Sequence, residues 1–138
     1  MDMIQVIYGK KGSGKTKRLL DMANDALKVE HGDIVFVDDD KRYMYDLRHE
    51  IRFVDASEYS VKSADMFLGF LSGMLSQNFD VTAIFIDAFM KMVNADVSTL
   101  GDFFAQLDTL AEKRNLRFVI SLSGDPDTMP EFMKKYVI

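Results

Sequence analysis

The sequence predicts a three-layer α/β domain with a mostly parallel five-stranded sheet and helices on both faces. Three observations point there. Short apolar runs alternate with longer segments whose apolar residues recur at helical spacing, the pattern of repeated βα units. The runs are apolar on both sides, as strands covered on two faces are. The first run opens into a glycine-rich turn, Gly9-Lys10-Lys11-Gly12-Ser13-Gly14-Lys15-Thr16, and a helical pattern follows. The 138 residues contain no internal repeat, Pro/Ser linker or low-complexity tract, so one domain over 1–138 is expected.

The elements can be justified in order. Ile4 to Tyr8 reads as the first strand, with the N-terminus running straight into it. A helix from Gly14 to Val29 follows, with Leu19, Leu20, Ala23, Ala26 and Leu27 on one face. Gly32-Asp33 breaks the chain before a buried strand, Ile34 to Val37, which ends in Asp38-Asp39-Asp40. A polar, partly helical connector to Glu50 leads to an edge strand at Arg52 to Val54. Ser63 has the chemistry of a helix cap. The helix behind it presents Met66, Phe67, Phe70, Leu71, Met74 and Leu75, with Gly69 and Gly73 beside that stripe. Each glycine costs helix propensity, which a close approach to the sheet or to a partner would offset. Val81 to Ile86 is the fourth strand and ends at Asp87. Ala88 to Val93 has no clear pattern. A helix over 98–115 carries Leu100, Phe103, Phe104, Leu107, Leu110 and Ala111. Arg117 to Leu122 is the fifth strand, Gly124-Asp125-Pro126 a turn, and 130–135 a short closing helix.

Composition excludes several classes. Without cysteine there is no disulfide framework, thiolate zinc site or thiol nucleophile, which suits a cytoplasmic protein. No secretory pattern precedes the first strand, and no apolar run reaches the ~18 residues of a membrane helix. A net charge of −5 argues against coating nucleic acid. Ten methionines suggest adaptable core filling. His31 and His49 have no metal-ligand spacing and read as surface residues.

The glycine-rich turn fits G-x-x-x-x-G-K-[ST], the phosphate-binding loop of ATP- and GTP-using proteins. Backbone N–H groups and a helix N-terminus converge on such a turn and form a nest for a polyphosphate. The expected nucleotide contacts are Gly9, Lys10, Lys11, Gly12, Ser13, Gly14, Lys15, Thr16 and Lys17, with the Lys15 ammonium on the β- and γ-phosphates. Ligands of open parallel sheets lie beyond the carboxyl ends of the strands. Asp87 stands there after four apolar residues, as a Walker B acid does, and would hold Mg²⁺ together with Thr16. Asp38 to Asp40 could orient the attacking water, with Glu58 as a more remote candidate. Ser121 and Ser123 stand where a polar side chain can sense the γ-phosphate. Arg42, Arg48 and Arg114 are arginines that could stabilise a transition state, and the sequence does not select among them.

On Gly9 to Thr16 plus Asp87, the chain resembles the P-loop NTPase superfamily, and with strands interposed before the Asp87 strand it looks like its ASCE division. The resemblance implies a P-loop NTPase fold, ATP and Mg²⁺ as ligands, and ATP hydrolysis. No Asn-Lys-x-Asp guanine signature is present, which favours ATP over GTP. Many such ATPases carry a water-positioning glutamate directly after the Walker B acid, and here that place is Ala88. The chain is also similar to short bacterial P-loop proteins, some labelled twitching-motility-like, although pilus-retraction motors carry an added N-terminal domain for which 138 residues leave no room. The loop can further be laid over the deviant Walker A motif of partitioning and division-site ATPases. Lys10 then matches their signature lysine and Asp38 their catalytic acid, implying an ATP-driven homodimer, while Lys11 departs from their glycine.

These readings give three functions: a slow or partner-activated ATPase with Lys15, Asp38 and Ser121 as catalytic residues, a nucleotide-dependent binding switch for an unidentified protein partner, or a small-molecule kinase.

Overall fold

Five strands, β1 (Ile4–Gly9), β2 (Asp33–Asp38), β3 (Arg52–Asp55), β4 (Val81–Ile86) and β5 (Arg117–Ser123), form one sheet in the computed structural model, which describes residues 3–138. Met1 and Asp2, the approach to β1, lie outside the described residues. The strand order is β1-β5-β4-β2-β3, and every pairing is parallel. β5 therefore lies between the glycine-rich turn and the strand that ends at Asp87. β3 is the edge strand, as its weak apolar pattern predicts.

Strand alternation sends side chains to two separate cores. On one face Ile7, Ile34, Phe36, Ala83, Phe85 and Val119 pack against α1 (Lys15–Ala26). On the other, Val6, Val35, Val37, Ile84, Phe118 and Ile120 pack against α2 (Ala64–Ser76), α3 (Phe89–Val93) and α4 (Gly101–Arg114). This is the three-layer arrangement expected. A run of aromatic rings joins the helices of the second layer: Phe67 to Phe89 at 5.4 Å, Phe89 to Phe103 at 5.0 Å and Phe104 to Tyr136 at 5.0 Å between centroids. Each such buried ring contributes about 2–3 kcal/mol by leaving water. Methionine fills less of the core than expected. Met92 and Met133 are buried, whereas Met3, Met22, Met74, Met90 and Met129 lie half-buried around the core margin.

Several boundaries differ from the sequence expectation for local reasons. α1 stops at Ala26 because the next turn tightens: Leu27, Lys28 and Val29 donate to carbonyls three residues back. Asp96 caps a 3₁₀ turn at Val97–Thr99, so α4 begins only at Gly101, and it ends at Asn115 with φ 51°. Ser63 caps α2 as expected, accepting from the Met66 N–H at 3.1 Å. The closing helix is a 3₁₀ turn, Glu131–Met133. The chain then runs beside β1: the Val6 N–H donates to the Tyr136 carbonyl at 2.8 Å, and the Ile138 N–H to the Val6 carbonyl at 3.0 Å. Sequence patterning did not reveal this extra edge segment, because three residues are too few for periodicity.

Gly69 and Gly73 make no close approach to anything. A Cβ built on either meets no atom within 4 Å, so close packing does not explain them. A Cβ on Gly32 would lie 2.1 Å from the Asp80 carbonyl oxygen, where β2 and β4 begin side by side. Gly69→Ala and Gly73→Ala should therefore each stabilise the fold by about 0.5–1 kcal/mol, while Gly32→Ala should destabilise it. Urea denaturation midpoints of the three variants measure this.

Candidate functional site

The turn after β1 owes its shape to three glycines. Gly12 and Gly14 have φ of 83° and 84°, which residues with a Cβ adopt only at a cost. Gly9 has a different reason: a Cβ there would come within 2.8 Å of the Ser13 Oγ. The turn is closed by the Ser13 N–H donating to the Lys10 carbonyl at 3.2 Å and is joined to the end of β5 by the Gly124 N–H donating to the Gly9 carbonyl at 3.0 Å. Lys10, Lys11, Gly12, Ser13 and Gly14 are exposed. The Lys15 side chain instead folds back across the turn, and its Nζ donates to the Lys10 carbonyl at 2.9 Å. Burial lowers its pKa, and the neighbouring Asp87 opposes that shift. Lys17 points along the outside of α1 and pairs with Asp21 at 3.1 Å.

Among the described residues, four polar or charged side chains are buried: Lys15, Asp38, Asp87 and Ser121. All four stand at the carboxyl end of the sheet, and all four are residues the sequence singles out. Buried polar groups are expensive unless paired, so this concentration marks the end of the sheet where chemistry can take place. Thr16 Oγ1 donates to Asp87 Oδ2 at 2.9 Å across the end of β5, joining the first turn of α1 to β4. The Asp87 N–H donates to the Val37 carbonyl at 2.9 Å, which brings the Asp87 and Asp38 carboxyl groups together.

Asp38 is the most perturbed acid. Its Oδ1 accepts from the Asp39 N–H at 2.8 Å, while its buried Oδ2 has no protein partner. Burial first, and then the charges of Asp87 and Asp39, push its pKa up to about 8. The Asp38 carboxyl is thus mostly protonated at neutral pH. Asp39 and Asp40 are half-buried, and Asp40 Oδ1 accepts from the Arg42 N–H at 2.8 Å. Glu58 does not join this group: it pairs with Lys41 at 2.7 Å outside the cavity. Of the three arginines, Arg42 lines the cavity. Arg114 is occupied by the Leu75 and Asn78 carbonyls, and Arg48 lies exposed beside a separate surface groove. His31 and His49 are exposed, as expected.

Two cavities flank the turn. The larger, about 560 Å³, runs from Lys11, Thr16 and Lys17 past Asp38 and Asp87 to Ser121 and Ser123. It is also lined by Arg42 and Tyr43 and by Ala88 to Lys91; of these the sequence reading named Arg42 and the Ala88 position, but not Tyr43, Phe89, Met90 or Lys91. No motif marks those positions, because a short connector and a five-residue helix carry no periodicity. The smaller, about 520 Å³, lies on the other side of the turn between Tyr8, Lys10, Ser13, Arg18 and the Asp125–Asp127 turn. Gly14 and Lys15 line both. Ala88, next to Asp87, has φ 55° and starts α3.

No protein-family model and no curated protein matches the chain. Among solved structures it is similar to the flagellar accessory protein FlaH from Methanocaldococcus jannaschii, at 14% identity and a TM-score of 0.46, over 94% of this chain and 64% of that one. The chain thus spans under two-thirds of that protein, and the α/β assignment rests on the sheet order and layers themselves. No helix among the described residues is long and apolar enough to cross a membrane.

The Asp38 shift fixes a pH dependence. Its carboxyl is protonated in the folded chain up to about pH 8 but ionises near pH ~4 when unfolded. Between those values the folded state holds the extra proton, so stability falls as pH rises and levels off above the upper limit. Asp38→Asn removes this loss. In chelator-treated buffer the variant should gain on wild type through that window, with no further gain beyond it. Denaturant titrations at several pH values measure the difference.

Proposed function

We propose that the chain is a P-loop nucleotide-binding domain that takes ATP with Mg²⁺ and hydrolyses it slowly, or at a rate raised by a partner, in the cytoplasm. The observation that carries this reading is the Thr16–Asp87 hydrogen bond of 2.9 Å, formed where α1 begins after an exposed turn with glycines at positive φ. Exposed N–H groups at the start of α1 suit phosphate oxygens. The Lys15 ammonium, now on the Lys10 carbonyl, is within reach of the same place and can exchange that carbonyl for a phosphoryl oxygen. A hydroxyl and a carboxylate in contact fit magnesium, a hard cation that keeps several waters and needs few protein contacts. Thr16 and Asp87 would hold the ion, which when bound neutralises charge on the phosphates.

The remaining roles follow from burial. Asp38, with one carboxyl oxygen lacking a protein partner, is suited to hold a water beside the terminal phosphate. Ser121, buried on β5 and lining the same cavity as Lys15 and Asp87, is suited to contact the phosphate itself. Gly9 to Lys17 would line the nucleotide. ATP is preferred to GTP because the guanine signature is missing. A second reading, a nucleotide-dependent switch with little turnover, is favoured by Ala88: the position after Asp87 has a methyl group and no carboxylate, on a backbone at φ 55°.

Isothermal titration with ATP, ADP, GTP and a non-hydrolysable ATP analogue, with and without Mg²⁺, tests the reading when followed by a phosphate-release assay on the same sample. ATP should bind more tightly with Mg²⁺ than without it. Lys15→Ala should weaken binding by about tenfold or more, equivalent to at least ~1.4 kcal/mol, and abolish phosphate release while the melting temperature stays near wild type. Asp87→Asn should remove most of the Mg²⁺ dependence. Tight ATP binding without phosphate release would select the switch, and no nucleotide binding would overturn both.

A further inference from the structure

Two cavities adjoin the glycine-rich turn. Each falls in the range of about 300–1,000 Å³ that holds a small ligand, and they meet at Gly14 and Lys15. On the nucleotide reading, a base and ribose in the smaller cavity, beside Tyr8 and the Asp125–Asp127 turn, would put the phosphates at Gly14 and Lys15, which line both cavities. The terminal phosphate would then stand near Thr16 and Asp87. The side of the larger cavity lined by Arg42, Tyr43, Met90 and Lys91 would be left over, and attack by water does not require it.

That side has a definite chemistry. Arg42 and Tyr43 stand on the connector after β2, and Met90 and Lys91 on α3. The Arg42 guanidinium is loosely held, 3.7 Å from Asp40 Oδ2 and 5.9 Å from the Tyr43 ring centroid, with its side chain 66% exposed. Lys91 is exposed and makes no ion pair among the described residues. The connector that carries Arg42 is tied down: Asp40 Oδ1 accepts from the Arg42 N–H at 2.8 Å, and Tyr43 packs against the α1-side core. Two exposed cations that line one cavity together with an aromatic ring and a thioether suit one kind of ligand.

We infer that Arg42 and Lys91, with Tyr43 and Met90, form a second ligand site for a small organic molecule that has an apolar or aromatic body and one phosphate or carboxylate group. The site rests on the nucleotide reading above, because a bound nucleotide closes its near side. A ligand there stands next to the terminal phosphate and can govern what happens to it.

The test uses the full chain saturated with a non-hydrolysable ATP analogue and Mg²⁺, titrated calorimetrically with phenyl phosphate, benzoate and inorganic phosphate. Phenyl phosphate and benzoate should bind saturably. Arg42→Gln and Lys91→Gln should each weaken both by about tenfold, the scale of one lost charge-assisted contact, and Lys91→Gln should leave affinity for the ATP analogue within about twofold. Tyr43→Ala should weaken phenyl phosphate but not inorganic phosphate. No saturable binding of either aromatic probe, or equal binding in an Arg42→Gln/Lys91→Gln double variant, overturns the second site and leaves the nucleotide reading standing. Failure of the ATP analogue itself to bind overturns the nucleotide reading and the second site with it.

Discussion

The hydrogen bond from Thr16 to Asp87 connects parts of the chain that are 71 residues apart. It spans the carboxyl end of β5, the strand that lies between β1 and β4. It ties the first turn of α1, which carries Lys15, to the residue after β4. It also occupies one oxygen of Asp87, which stands beside Asp38. Loop, helix start and the two acids thus act as one polar unit held on an apolar sheet.

That unit opposes stability locally. Interiors favour apolar groups, and an unpaired polar atom in one costs about 1–3 kcal/mol. The buried Oδ2 of Asp38 is such an atom, and Ala88 adds backbone strain next to it. Both lie at the carboxyl end of the sheet, while two other unpartnered buried polar atoms, Thr82 Oγ1 and Arg117 Nε, lie at the opposite ends of β4 and β5. The arrangement matches a general pattern in which functional sites keep local strain that the rest of the fold tolerates.

Much of this was legible in the sequence, because the signals were strong and local. Apolar runs marked β1, β2, β4 and β5, a weaker pattern marked β3, and the glycine spacing marked the turn. The four buried polar residues were all singled out because each stands at a strand end or in the turn itself. What stayed hidden depends on long-range geometry or on very short segments. The pairing of the last residues with Val6 is one example. Another is the grouping of Arg42 with Lys91, on separate short elements that only the sheet brings to one cavity. Glu58 looked available until its position beside Lys41 was known. Gly69 and Gly73 suggested close packing, but periodicity cannot tell a crowded helix face from an open one.

The strand order also bears on how the molecule comes into being. β1 is made first, yet its neighbour in the sheet is β5, whose Phe118 stands opposite Ile4. On a ribosome β1 must wait for almost the whole chain before it can pair, while β2, β3 and β4 can already assemble. Contacts of such large sequence separation form late and slow the folding of a domain. The glycine-rich turn at the end of β1 is therefore among the last features to take its final shape, and a nascent chain stalled before β5 would carry its motif complete in sequence and absent in form.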